Sequence, residues 1–255
     1  MEHIQTELQD GILRIEIRRP EKKNAITAAM YTKLARVLSE AAQEEAVRVV
    51  LIQGQPNGFS AGNDLADFLN SPPDSMDAPA FRFLMALDAL PKPLVAAVCG
   101  NAIGVGATML LHCDLVYAAD DARFQLPFVS LGLSPEGGSS LLLPRLAGHQ
   151  RAAELLLLGE AFDALTAREI GLVNSLHAPQ AVLDVALERA RKLTTLPAAA
   201  LRETKRLLKQ TPAPTIAETM RNEAATFMLR LVSPEAKEAF AAFLEKRKPD
   251  FSRFN

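Results

Sequence analysis

Cysteine is scarce. The 255-residue chain carries two, Cys99 and Cys113, both in apolar stretches. They read as buried thiols of a reducing compartment, which excludes a disulfide framework. Long apolar runs are missing too. The run LLLL at 155–158 is far too short to span a bilayer, so no membrane partner is expected. There is no excess of one charge: 28 Lys and Arg stand against 30 Asp and Glu. A nucleic-acid or membrane-surface partner would want a strong basic excess, and none is expected. A small basic pocket for a phosphorylated ligand stays open. His3, His112, His149 and His177 are scattered and make no metal-ligand spacing, so no metal is expected. His112 beside Cys113 invites a metal or nucleophile reading, but helix neighbours stand about 100° apart and do not share one site. No G-x-S-x-G elbow, internal repeat or low-complexity tract is present.

Hydrophobic residues make up 49% and charged residues 23%, which fits one large domain or one domain with a helical appendage. The first residues, MEHIQTELQDGILRIEI, lack a basic region followed by an apolar run, so no signal peptide is expected. The last three, RFN, differ from the common peroxisomal tripeptide. A cytoplasmic location is expected.

Residues 4–8 and 12–17 alternate apolar and polar around Asp10-Gly11, a hairpin pattern. Thr27 is placed to cap a helix through Met30, Leu34, Val37 and Leu38. Residues 47–52 and 93–98 read as buried strands, and 115–117 and 123–126 as shorter ones. Strands alternating with helices predict a mostly parallel sheet covered on both faces. Residues 69–79, with three prolines, read as a mobile loop or lid, and 81–90 as a helix. Beyond Gln150 the pattern is mainly helical, at 151–158, 182–193, 198–208, 215–231 and 234–246.

Three segments are candidates for chemistry. GFSAGNDLADF (58–68) follows a strand with a tight turn whose N–H groups suit an anion, although a plain strand-to-helix turn has the same look. Asp64 is placed to cap the following helix. PLVAAVCGNAIGVGATM (93–109) ends a strand at Gly100 and starts a helix near Val105, aiming free N–H groups at one point. Close packing by small residues explains it equally. A dinucleotide fingerprint fails there, because Met109 stands where the third glycine belongs. LGLSPEGGSS (131–140) sets Glu136 among apolar residues, where burial would raise its pKa towards that of a useful base. A solvated surface Glu is the plain alternative. Lys22, Lys23 and the run EKRK at 245–248 are open to phosphates or simply solvated.

Together these motifs, with RPEKKNAIT, GEAFDALTAREIGLVNSL and FLEKRKPDF, resemble the crotonase (enoyl-CoA hydratase/isomerase) superfamily over nearly the whole chain. The resemblance implies an α/β fold, a crotonase-type spiral of ββα units (1–190), with a helical C-terminal trimerisation region (191–255). It implies an acyl-CoA thioester as ligand, a homo-trimer or hexamer, and no cofactor beyond the coenzyme A of the substrate. By motif position the oxyanion-binding amides fall on Asn63 and Val105. Ser60, Ala61, Asp64 and Leu65 fall at the coenzyme A pocket, and Lys22 and Lys23 near its phosphates. The two glutamates of family hydratases are replaced here by Thr108 and Phe128. Glu136 instead matches the single glutamate of the peroxisomal-type Δ3,Δ2-enoyl-CoA isomerases, with Phe128 expected among the walls of its pocket. The implied activity is single-glutamate double-bond shift from 3-enoyl-CoA to 2-enoyl-CoA. Ring-acyl-CoA isomerisation, hydration and non-catalytic acyl-CoA binding are the alternatives.

Overall fold

The computed structural model describes residues 3–70, 72–209 and 215–251. The RFN residues at 253–255, and residue 71 of the proline-rich segment, lie outside them. The chain opens with a hairpin, β1 (Ile4–Gln9) and β2 (Ile12–Ile17), whose pairing runs from Ile4↔Ile17 to Gln9↔Ile12. Asp10 and Gly11 take φ of 51° and 78°, the type I′ geometry that matches strand twist. Thr27 caps α1 (Ala28–Gln43), its hydroxyl accepting from Met30 N–H. Then come β3 (Val49–Gln53), α2 (Leu65–Asn70), α3 (Pro79–Ala89), β4 (Leu94–Val98), β5 (Asn101–Ile103) and the short α4 (Val105–Thr108). β6 (Leu115–Ala119) and β7 (Arg123–Gln125) precede α5 (Ser139–Ala147) and α6 (His149–Ala153), which runs into a wider turn at Glu154–Leu158. β8 (Phe162–Asp163), α7 (Ala164–Glu169), β9 (Ser175–His177) and α8 (Val182–Thr194) follow. The last helices are α9 (Ala198–Leu208), α10 (Ile216–Leu231) and α11 (Pro234–Leu244).

Two sheets result. The larger has the order β1-β2-β3-β4-β6-β9, and the smaller β5-β7-β8. Beyond the first hairpin, every pairing in the larger sheet is parallel. β3 and β4 are buried at every residue, as strands covered on both faces must be. The layout is a repeating unit: β4 enters the large sheet, β5 the small one and α4 follows; β6, β7 and α5 repeat the step. In the turn after β3, Ser60 bridges to Ala102 of β5 and takes the place of a small-sheet strand.

The helical end is bound into this core. α8 packs on β3, β4 and β6, so the boundary expected at 190 falls inside a core helix. Lys205 of α9, 5% exposed, donates to Asp114 at 2.7 Å and to the Lys92 carbonyl at 2.8 Å. α10 packs on α3 and α5. Among the described residues no helix is long and apolar enough to cross a membrane.

Candidate active site

Two backbone turns meet beside the small sheet. Ser60 N–H donates to the Asn101 carbonyl at 2.9 Å, and Ile103 N–H donates back to the Ser60 carbonyl at 2.9 Å. The approach requires glycine on both sides. A Cβ on Gly62 would stand 2.8 Å from the Ile103 carbonyl oxygen, and one on Gly106 2.7 Å from the Ser60 oxygen. This packing sets Asn63 and Val105 in neighbouring turns. Ile26 N–H bonds the Gly62 carbonyl at 2.8 Å and Asp64 N–H bonds the Ile26 carbonyl at 2.9 Å, a parallel bridge that leaves the Asn63 N–H outside it. Val105 is the first residue of α4, whose N-cap, Gly104, offers no side chain to its free amides.

The 19–27 loop buttresses the first turn. Arg19 reaches Asp64 at 2.6 Å, and Asn24 Nδ2 donates to the Gly58 carbonyl at 2.8 Å. Burial works to raise the Asp64 carboxyl, but the Arg19 guanidinium and the N–H groups of Asp67 and Ala66 outweigh it and hold it below the usual range. Those two amides, each 3.1 Å from Asp64 Oδ1, are the cap expected for α2. Ala61 N–H bonds the Lys23 carbonyl at 3.0 Å, so the loop carrying the exposed Lys22 and Lys23 is built onto the turn that carries Ala61, Asp64 and Leu65. Ser60 is a different case. It is fully buried, and its hydroxyl donates to the Asn24 carbonyl and accepts from Gly62 N–H, so it organises the turn from within.

Glu136 lies inside the protein, 5% exposed. Met76, Phe81, Leu84, Met85, Gly137, Met220 and Ala224 form a narrow cavity around it. Burial pushes its carboxyl up to about 8; a hydrogen bond from the Thr108 hydroxyl pulls down, and the nearby Glu223 adds an upward push. Thr108 ends the short helix that Val105 begins, so one turn of backbone links the partner of Glu136 to the Val105 amide. Phe128 is buried elsewhere and is not among the walls of this cavity, contrary to expectation. The walls come from α3, α10, Met76 of the proline-rich segment and Gly137 beside the carboxyl.

Two polar residues here were not singled out as site residues. Tyr31 of α1, 2% exposed, donates to Asn63 Oδ1 at 2.5 Å. Burial, and then the charge of Glu136, raise its hydroxyl well above the ordinary value. Its position on the apolar stripe of α1 hides it, since any aromatic there reads as core. His112 is buried, with Nε2 2.7 Å from the Gly137 carbonyl. Burial lowers its pKa to about 4, which keeps the ring neutral and makes Nε2–H the donor. Cys113 bonds back to the Met109 carbonyl instead, so the two neighbours form no joint site. The cavity around Glu136 does not itself include Asn63 or Val105; Tyr31 and Thr108 bridge the two parts.

Comparison with known proteins gives the family. A family model described as enoyl-CoA hydratase/isomerase matches residues 7–253. The chain is similar to the 1,2-epoxyphenylacetyl-CoA isomerase of Escherichia coli (strain K12), with 35% identity over 259 residues, 99% of each chain. It is similar to enoyl-CoA delta isomerase 2 of Homo sapiens, 32% identical over 246 residues, 94% of this chain and 62% of that one. Relatives named as hydratases match at comparable identity. The solved structure of OdaA from Pseudomonas aeruginosa superposes with a TM-score of 0.93 at 47% identity, covering 96% of this chain and 99% of that one. The chain therefore belongs to the enoyl-CoA hydratase/isomerase family and is an enzyme of that family.

Proposed function

We propose that the enzyme shifts a double bond in an acyl-CoA, converting 3-enoyl-CoA to 2-enoyl-CoA, with Glu136 as the only carboxylate that moves the proton. One observation carries the reading: a carboxyl near neutral proton affinity faces an apolar cavity, and a threonine rather than a second glutamate is bonded to it. The ionised Glu136 takes a proton from C2 of the thioester. The resulting dienolate places negative charge on the thioester oxygen. The N–H groups of Asn63 and Val105 receive that charge, each such donor being worth roughly 3 kcal/mol in other acyl sites. Protonated Glu136 returns the proton to C4. One carboxylate suffices because the proton is lent and given back. Adding water would need a second group to activate it, and apolar walls of Phe81, Leu84 and Met85 keep water away.

Ala61, Asp64 and Leu65 line the coenzyme A pocket in this reading, with Lys22 and Lys23 beside its phosphates. No cofactor is called for beyond the coenzyme A of the substrate. Assembly as a trimer or hexamer through residues 191–255, in the cytoplasm, belongs to the same proposal. Isomerisation of a ring-containing acyl-CoA is a second reading, supported by the similarity to the Escherichia coli epoxyphenylacetyl-CoA isomerase. Product analysis with 3-enoyl-CoA, 2-enoyl-CoA and a ring-acyl-CoA separates these. Conversion of the 3-enoyl substrate without hydrated product supports the first reading. Hydroxyacyl-CoA from the 2-enoyl substrate overturns it.

A further inference from the structure

A second buried carboxylate lies behind Glu136, and the chemistry above makes no use of it. Glu223 of α10 is 7% exposed. Its Oε2 accepts from Gly138 N–H at 2.5 Å and its Oε1 from Ser140 N–H at 2.8 Å. Those amides open α5, whose N-cap is Gly138, a residue with no side chain to cap anything. Unmet N–H groups at a buried helix start are costly. Glu223 meets them from another helix, with its negative charge at the positive end of α5.

The same stretch of α10 walls the base. Met220 and Ala224, one turn before and one residue after Glu223, line the Glu136 cavity. The turn itself closes on Glu136: the Ser139 hydroxyl donates to the Glu136 carbonyl at 2.7 Å. His112 holds the intervening Gly137 carbonyl. The base thus sits on a turn pinned at 137 from the segment after α4 and at 138 and 140 from α10.

We propose that Glu223 is a positioning residue for Glu136, fixing the 136–140 turn through two backbone amides and setting a second carboxylate behind the first. The inference rests on the reading of Glu136 as the base. Glu223 acts through the turn and through its charge and does not touch the substrate. The like charge of Glu223 disfavours ionisation of Glu136, in the same direction as burial and against the Thr108 bond. The polar groups facing Glu136 are Tyr31 from α1, Thr108 from α4 and Glu223 from α10; α3 presents Phe81, Leu84 and Met85. Lys205, Lys209 and Asp88 act on His112, which stays neutral.

Infrared difference spectra recorded against pH, without substrate, read the Glu136 carboxyl directly, its band assigned by its loss in Glu136→Gln. Glu223→Gln is expected to lower the Glu136 midpoint by about one unit, while Glu223→Asp, which keeps the charge, restores most of it. Hydrogen exchange at the Gly138 and Ser140 amides is expected to speed up about tenfold in Glu223→Gln, the loss of roughly one good hydrogen bond. An unchanged midpoint with unchanged exchange overturns the inference. If Glu223→Gln does not fold, the wild-type protein carries the test, because rapid exchange of both amides in it would equally overturn the inference. A lowered midpoint in Glu223→Gln, beside a wild-type protein that does not convert a 3-enoyl-CoA, leaves Glu223 in its role and removes the isomerase reading; an unmoved midpoint and unchanged exchange in the variant, beside a wild-type protein that does convert it, do the reverse.

Discussion

The Thr108 hydroxyl donates a hydrogen bond to the Glu136 carboxylate. The contact ties the helix that begins at Val105 to the turn that carries Glu136. Burial favours the protonated carboxyl, while this bond favours the ionised one that the proposed proton transfer needs. Thr108→Val keeps the shape and deletes the donor. A hydrogen bond to a charged group is worth roughly 1.5–3 kcal/mol. Turnover at neutral pH is therefore expected to fall about tenfold or more, and the acid limb of the pH–rate profile to move to higher pH. Measuring kcat/KM from about pH 6 to 10 checks both.

Glu136 also sets a dependence of stability on pH. Burial pushes its carboxyl up to about 8 in the fold, against an ordinary value of 4.5. Below 4.5 the folded and unfolded chains both hold the proton, and the favourable contribution is complete. As pH rises, only the unfolded chain releases the proton, so stability falls by up to roughly 1.4 kcal/mol per pH unit until the folded carboxyl also ionises. Glu136→Gln removes this dependence. The variant's Tm is expected to exceed the wild-type Tm by a margin that grows from about pH 5 to 8. Calorimetry at several pH values reads it; a constant margin would contradict the burial of an ionisable group at this position.

Tyr31 joins the two halves of the site, bonding the Asn63 side chain while standing within the electrostatic reach of Glu136. Tyr31→Phe keeps the ring against Phe83, 5.6 Å away, and removes only the hydroxyl. The expected result is a loss of kcat of about fivefold, from roughly 1 kcal/mol of lost positioning, with little change in KM. Steady-state kinetics separate this from a binding defect, which would raise KM instead.

Gly62 stands at φ 87° with the Ile103 carbonyl where a methyl group would go. Gly62→Ala must push the two turns apart and displace the Asn63 amide. A lost oxyanion donor costs about 100- to 1,000-fold in kcat. The variant is expected to fold and bind acyl-CoA, as isothermal titration would show, while turnover drops on that scale.

Much of this was legible from local chemistry. Asp10-Gly11 announced the hairpin, Thr27 its helix, and the β-branched runs the buried parallel strands. Glu136 stood out as a charge between a proline and two glycines in an apolar stretch. Short elements escaped, because β5, β8 and β9 have three, two and three residues, too few for a period to register. The start of α5 at Ser139 has no capping side chain before it to announce a helix; Glu223, far along the chain, provides the acceptor instead. Phe128 was placed at the cavity by motif position alone, whereas the path of α3 brings Phe81, Leu84 and Met85 there. Such long-range substitutions leave no local pattern to read.

The most direct test is the turnover of Glu136→Gln with a 3-enoyl-CoA, followed by product analysis at a pH above 8, where the wild-type carboxyl is ionised. Loss of the 2-enoyl product, with acyl-CoA binding retained, is the predicted result. Wild-type rates in the variant would mean that some other group moves the proton.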